Sequence, residues 1–350
     1  MEVIAMGAME YDVVVVGGGA AGLTAAMVLA RACRRVAVVD SREPRNAPAA
    51  HMHGFLSRDG MPPAHLLAVG RGEVFGYGGE VVKDRVLGVE RTPDQGFTVR
   101  LAEGPALTTR AVLVATGLRD ELPEIPGVRE RWGDDVLHCP YCHGYEVRGT
   151  AIGVLGGEAR ELSLHQALLL RQWTEDLVFF PNRIALTDEE RERLAARGVR
   201  VVDGEVARVV VEEDRVRAVE MKDGREVPRT SVFVAPRFVP RDELLRSLGC
   251  AVGDNGWVSV DPTGRTSVPG VWAAGNVVDP RAQVITAAGA GSVAAIAING
   301  FLVEEDVDRA VADYRVSGEM FSNLVERRVS EAVVGDRRHG LKAEVAGPQP

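Results

Sequence analysis

Residues 11–40 confine the fold more than any other part of the chain. YDVVVV at 11–16 is an unbroken β-branched run of the kind that forms a strand buried on both faces. Gly17-Gly18-Gly19-Ala20-Ala21-Gly22 follows, then the helical stretch LTAAMVLARACR, then RVAVVD at 35–40, a second apolar strand ending in an acid. Strand, glycine turn, helix and strand make a βαβ unit with GxGxxG in its first turn, which commits the chain to a parallel sheet. Each glycine has a physical task. Gly17 permits the tight turn, Gly19 lets the backbone approach a pyrophosphate, and Gly22 lets the helix pack on the strand. Gly18 and Ala20 complete the loop. The helix start offers free N–H groups and a positive dipole end to the anion. Asp40, 18 positions beyond Gly22, is placed to accept a ribose hydroxyl.

A second cycle begins near residue 150: AIGVL at 151–155, the turn Gly156-Gly157, the helix LSLHQALLLRQW and the strand DLVFF at 176–180. The chain therefore reads as α/β, with two dinucleotide-binding (Rossmann-like) three-layer domains, the second inserted in the first. The expected boundaries are 10–120 with 243–330 for the first domain and 121–242 for the second, with 331–350 as a tail whose final AGPQP is expected to be disordered. ELPEIPGVRERWG, with Pro123 and Pro126, reads as the linker between them. Near the end, PGVWAAGNVVDPRAQVITAAGAGSVAAIAING gives a strand, a turn and a helix of small residues. Beyond residue 303, Phe321, Leu324, Val325, Val329 and Val333 form a stripe of the kind that serves as core or dimer contact.

Composition narrows the partners. The 350 residues carry a formal net charge of −9 with no block of Lys or Arg, which argues against nucleic acid or an anionic membrane. No run is expected to approach the ~20 apolar residues of a spanning helix. MEVIAMGAMEYD lacks a basic region and a long apolar run, so it reads as a short leader, with Met6 and Met9 as alternative starts. A cytoplasmic protein is expected.

Of four cysteines, Cys33 and Cys250 stand alone and read as small buried hydrophobes. Cys139 and Cys142 form a CxxC pair in HCPYCHGYE, residues 138–146, just before the second βαβ unit. In a reducing compartment that spacing signals redox or metal chemistry. Two such thiols close a small disulfide ring and exchange electrons two at a time, and a helix start favours the thiolate. Zinc would use His138 or His143 to complete its shell, but no second CxxC or HxxxH exists, and no metal is expected. His143, with an ordinary pKa of ~6.5, suits proton transfer to and from a thiol; the plainer reading is a helix-start residue touching solvent. His138 is a second candidate.

Val112–Gly117 (VLVATG) and Gly270–Asn276 (GVWAAGN) resemble the two further fingerprints of two-domain flavoprotein disulfide reductases. With the dithiol segment they make residues 10–302 similar to the low-molecular-weight thioredoxin reductase family. CPYCHGYE resembles more closely the branch of flavin-dependent dithiol oxidases that close the disulfides of gliotoxin- and holomycin-type metabolites. The resemblance implies FAD, contacted by Ala115, Thr116, Gly117, Gly275 and Asn276, with Asn276 on the ribityl chain. It further implies that the helix from Gln283 and Val284 aims N–H groups at the flavin pyrimidine edge. Arg45 is implied as a cofactor contact, as is His53 in the loop HMHGFLSRDG, which also holds His51. Cys142 would face the flavin, Cys139 would exchange with substrate, and the protein would be a homodimer through its FAD domains. Two positions depart from the pattern: Asn276 replaces an acid, and His143 replaces the acid after the second Cys.

A reductase of this kind also binds NADPH in the second domain. The turn there is Gly156-Gly157-Glu158-Ala159-Arg160-Glu161, with Glu158 in place of the second glycine and Glu161 in place of the final small residue. A carboxylate repels the pyrophosphate, and its side chain blocks close approach. Pro181-Asn182-Arg183 leaves one Arg where a basic cluster should hold the 2′-phosphate, which puts NADPH in doubt. The leading expectation is an FAD-dependent dithiol oxidase, forming a disulfide in a small-molecule dithiol with oxygen as acceptor and hydrogen peroxide as product. The alternatives are an NADPH-dependent reductase of a thioredoxin-like protein and a flavin redox sensor or binding protein without turnover.

Overall fold

The computed structural model describes residues 10–317. The alternative starts, the stripe from Phe321 to Val333 and the tail lie outside them. The first sheet is built from β1 (Tyr11–Val16), β2 (Val36–Asp40), β3 (Glu80–Lys83), β4 (Val86–Arg91), β5 (Phe97–Leu101) and β6 (Leu107–Val114), with α1 (Ala20–Arg31) and α2 (Pro63–Gly76) between its early strands. Its order is β3-β2-β1-β6-β5-β4. The βαβ pattern makes β3, β2, β1 and β6 parallel, and the short turns after β4 and β5 make the remaining pairs antiparallel. Successive side chains point to opposite faces. Val14, Val16, Val112 and Val114 join Phe97 and Val99 in one buried cluster, whereas Val15 lies against α1 at Gly22. The first helix starts at Ala20, three residues earlier than the apolar pattern suggests, because the glycine loop itself supplies its first turn.

The chain then continues through β7 (Leu118–Glu121), β8 (Val136–Leu137), α3 (Pro140–His143), β9 (Ile152–Leu155), α4 (Arg160–Leu170), β10 (Leu177–Phe180), α5 (Asp188–Ala196), β11 (Arg200–Val201), the antiparallel trio β12 (Val206–Glu212), β13 (Arg215–Met221) and β14 (Glu226–Pro228), and β15 (Ser231–Val234). A parallel sheet of order β11-β10-β9-β15-β8 forms the middle layer. One face packs Leu155, Val178, Phe180 and Val232 against Val209, Val219 and Met221 of the antiparallel trio. The other packs Ile152, Val154 and Phe179 against Ala167 and Leu170 of α4 and Leu194 of α5. Helices, parallel sheet and antiparallel sheet are the three layers.

β16 (Arg237–Pro240) pairs antiparallel with β7, so the outgoing and returning crossings are hydrogen-bonded to each other, and an Arg237–Glu121 ion pair closes the ribbon. After α6 (Glu243–Ser247), β17 (Val271–Ala273) joins the first sheet beside β6. The strands of the second sheet thus lie in sequence between strands of the first. α7 (Val284–Ser317) follows a single 3₁₀ turn, Gly275–Val277. It passes so close to α1 that a Cβ on Gly291 would stand 2.1 Å from the Ala21 carbonyl oxygen.

Two expectations are corrected. Val284–Arg315 is, by length and composition, apolar enough to cross a membrane. Its apolarity comes from Val, Ile and Phe interspersed with alanines, and Ala294, Ala295 and Ile298 are buried in the protein. Cys33 is exposed, because it occupies a left-handed position (φ 61°) where the chain turns outward after α1; Cys250 is buried, which raises its thiol pKa. Residues to Ile298 form one compact unit and those from Asn299 a second; the described part of the second is helical, with Val303, Val307 and Val311 exposed at four-residue spacing.

Candidate active site

The glycine turn after β1 is forced by contact. A Cβ on Gly17, which has φ +105°, would stand 2.4 Å from the Ala115 carbonyl oxygen, and one on Gly22 would stand 1.9 Å from the Gly17 carbonyl oxygen. Asp40 lays its carboxyl against Gly18, where a Cβ would meet it at 2.7 Å. Gly19, the N-cap of α1, is different: a Cβ there meets no protein atom within 4 Å. Its open side is a cleft of ≈ 2110 Å³. Every cofactor residue expected from the sequence lines this cleft except Gly22, which sits behind the turn, and Cys139 and Cys142 line it too. The volume exceeds the roughly 300–1,000 Å³ of a single small-ligand pocket, leaving room for an extended dinucleotide and a second molecule. The residues fit FAD: a bare helix start at Gly19 for the pyrophosphate, Asp40 for a ribose hydroxyl, and Gly275 and Asn276 beyond.

Asn276 gives both amide hydrogens to the turn before α7, one to the Asp279 carbonyl at 2.9 Å and one to the Ala282 carbonyl at 3.0 Å. Only its side-chain oxygen remains, an acceptor for a ribityl hydroxyl. An aspartate lacks the donors to hold this turn, so the amide here braces the loop while keeping the acceptor. Thr116 spends its hydroxyl on the Arg241 carbonyl at 2.6 Å, tying the two chain crossings together. Arg45 donates twice to Asp120, both at 2.7 Å, and stacks over Phe238. Its charge acts on the thiols as well as on the cleft.

Cys139 is the N-cap of α3, a single turn started by Pro140. The two sulfurs are 2.6 Å apart, with the Cys142 thiol donating to Cys139. That bond, the N–H groups of Cys142 and Tyr141 and the charge of Arg45 outweigh burial and bring the Cys139 thiol down to about 7. The same bond, burial and the neighbouring thiolate push Cys142 well above the ordinary thiol range. In the reduced pair the thiolate is therefore Cys139 and the remaining proton sits on Cys142.

His143 ends α3, half-buried, and its Nδ1 has no hydrogen-bond partner among the described residues. Burial lowers its proton affinity, and Glu146 opposes that. His138 is more enclosed. Burial and then Arg45 push it down to about 4, and its ring packs edge-on against Phe238 at 5.1 Å. It is neutral near pH 7. His53 faces Asp59 through Nδ1 at 3.3 Å and Glu146 through Nε2 at 3.5 Å. Sequence reasoning missed Asp120, Phe238, Glu146 and Asp59. Only Glu146, three residues past His143, carried a local signal, the (i, i+3) spacing of a helical turn.

The second glycine turn carries charged side chains where the first is bare. Glu158 is exposed in the cleft, and Glu161 adds a second carboxylate to the first turn of α4. Arg160 is bound to Glu190 by two 2.6 Å hydrogen bonds, while Glu190 also completes the capping box of α5 with Thr187. Asn182 ties strand ends together, reaching the Gly156 carbonyl and taking the Val206 N–H, and Arg183 pairs with Glu205 at 3.8 Å. Among the described residues no group of three or more His, Cys, Asp or Glu is arranged to hold a metal.

The family model described as "Pyridine nucleotide-disulphide oxidoreductase" matches residues 11–292. Thioredoxin reductase sirT of Leptosphaeria maculans is 29% identical over 306 residues, 83% of this chain and 93% of that protein. Thioredoxin reductase tcpT of Claviceps purpurea is 32% identical over 286 residues, 76% of this chain and 86% of that protein. The crystal structure of HlmI matches with a TM-score of 0.85 at 59% identity, covering 88% of this chain and 97% of that one. The chain belongs to the pyridine nucleotide-disulphide oxidoreductase family, as a thioredoxin reductase-like, FAD-dependent oxidoreductase acting on sulfur groups.

Proposed function

We propose that the protein is a dithiol oxidase, which closes a disulfide in a small-molecule dithiol. The observation that carries this reading is the contrast between the two glycine turns. The first is open around Gly19, whereas the second holds Glu158, Glu161 and the Arg160–Glu190 pair. A donor anion meets carboxylates there, and the nearby Arg183 is already partnered.

The chemistry of the chain's own residues follows. A substrate thiol gives its proton to His143 and attacks the Cys139 sulfur of the Cys139–Cys142 disulfide. The bond between the cysteines breaks, a substrate–Cys139 disulfide forms, and Cys142 leaves and takes a proton. Once Cys142 has taken the first proton from His143, the second substrate thiol gives its proton to the freed His143, attacks the substrate sulfur of that bond and expels Cys139, whose thiolate is favoured near pH 7 and so is a good leaving group. The substrate departs as a disulfide, and the two cysteines hold its electron pair. The Gly17–Gly22 turn, Asp40 and Asn276 would hold FAD, which when bound would supply a two-electron acceptor for the reduced cysteine pair and a route to oxygen, with hydrogen peroxide as product.

A second reading, an NADPH-dependent thioredoxin-disulfide reductase, draws on the names of the relatives. Anaerobic reduction separates the two. A dithiol such as dithiothreitol is expected to bleach the flavin absorbance, with peroxide appearing on aeration, while NADPH leaves it oxidised. Fast bleaching by NADPH overturns the oxidase reading, and bleaching by neither reagent favours a redox sensor. The same reading has the protein acting in the cytoplasm as a homodimer through its first lobe, where Leu56 and Phe75 are exposed; sedimentation at micromolar concentration checks the dimer.

A further inference from the structure

We propose that Tyr141 is a specificity-determining residue, an aromatic platform beside Cys139 that favours a dithiol carried on a flat, conjugated ring. The inference rests on the dithiol-oxidase reading and deepens it, because it names the class of small molecule that the cleft selects.

Tyr141 lies on the turn that holds the reacting sulfur. It is two residues after Cys139 in α3, and its backbone N–H is one of the groups that favour the Cys139 thiolate. Among the described residues three large aromatic side chains line the cleft, Trp132, Tyr141 and Phe238. Trp132 packs against the core of the second lobe, and Phe238 is taken up by Arg45 and the His138 ring. Tyr141 alone is exposed, at 64%.

The ring is nevertheless held. It meets the Trp173 indole in a T-shaped contact, with centroids 6.1 Å apart and planes at 86°. Trp173 is itself wedged against the turn: a Cβ on Gly144 would stand 3.0 Å from its indole, and its carbonyl accepts the Gly149 N–H at 2.8 Å. A perpendicular contact fixes the plane of the Tyr141 ring while using at most one of its faces. His165 and Leu169, one turn apart on α4, line the same cleft, and Trp173 follows at the next four-residue step. Tyr145, similarly exposed, differs: it lies under the Arg148 guanidinium at 3.8 Å and outside the lining of the cleft.

A ring oriented in advance gains most from another π-face. Aromatic contacts contribute beyond the area they bury, and a side chain already fixed loses little freedom on binding. A saturated dithiol of the same size buries the area without that contact. Discrimination is therefore expected between ortho-bis(mercaptomethyl)benzene and its ring-saturated cyclohexane counterpart, both alkyl dithiols that close disulfide rings of the same size.

The test uses the FAD-loaded enzyme and reads the second-order rate of anaerobic flavin bleaching by each dithiol. In the wild type the aromatic dithiol should react about fivefold faster than the saturated one. Tyr141→Leu, which keeps bulk and apolarity, should bring the two rates together. Tyr141→Phe should retain the preference, and Trp173→Leu, which frees the ring, should lower it part of the way. Both dithiols meet the same cysteines, so a change in thiol acidity or potential cancels in the ratio, and a merely structural effect leaves it unmoved. Equal rates in the wild type, or a preference that Tyr141→Leu leaves unchanged, overturn the proposal. If Tyr141→Leu does not retain FAD, the S-methylated forms of the two dithiols are compared in the wild type as competitors of dithiothreitol, where equal inhibition overturns it. Wild-type enzyme that dithiothreitol bleaches but that shows no preference loses the platform and keeps the oxidase reading. Wild-type enzyme that no dithiol bleaches overturns the oxidase reading itself, and the platform with it.

Discussion

The asymmetry between two adjacent thiols originates in one hydrogen bond. Cys142 donates to Cys139, which lowers one thiol to about 7 and raises the other. Three further influences on Cys139, two backbone N–H groups and the Arg45 charge, are weaker. Cys142→Ala should therefore move the midpoint of Cys139 alkylation in the reduced protein from near 7 toward the ordinary thiol value of about 8.5. Below that midpoint the thiol is protonated and slow to react, and above it the thiolate reacts, so the variant should be less reactive at pH 7 and recover at pH 9. Iodoacetamide labelling followed by mass spectrometry across pH measures this. A midpoint that stays near 7 would assign the depression to the helix turn and Arg45 instead.

At the scale of an element, two glycines three residues apart do opposite things. Gly22 is needed by the protein, since its Cβ would collide with the Gly17 carbonyl; Gly19 is needed by the ligand, since its Cβ would occupy only the cleft. Gly22→Ala should cost about 1–3 kcal/mol of stability as the turn opens. Gly19→Ala should cost under about 1 kcal/mol, the price of a poorer N-cap, yet weaken FAD binding clearly. Thermal unfolding of the apoprotein beside FAD titration distinguishes them; equal loss of Tm in both would sink the distinction. This contrast also shows what was legible beforehand. The glycine turn, the CxxC pair and both βαβ units could be read because period, glycine and spacing are local. Asp120 with Arg45, or Phe238 with His138, could not, since those partners meet only after the chain has crossed between lobes and returned. The exposure of Cys33 was missed for a different reason: it depends on a left-handed residue after a helix, which no apolar pattern announces.

Across the whole molecule, one architecture is used twice and its first turn is kept open only once. In the second lobe the groups around the second glycine turn also hold the structure: Glu190 is both the partner of Arg160 and the N3 residue of a capping box, and Asn182 joins the end of β9 to β12. On the proposed reading the exclusion of NADPH is therefore coupled to stability, and it should not be reversible by one substitution. Glu158→Gly removes one carboxylate, but Glu161, the Arg160–Glu190 pair and the engaged Arg183 remain. Its flavin should stay oxidised under anaerobic NADPH, as in the wild type. Asn182→Arg would introduce a cation beside Arg183, but at φ +58° and at the loss of two hydrogen bonds, which should lower stability by about 1–2 kcal/mol. Stopped-flow reduction of both variants, alone and combined, with Tm measured alongside, tests this coupling. Rapid NADPH bleaching in Glu158→Gly alone would show that a single carboxylate was the whole barrier and that the ion pairs behind it exclude nothing.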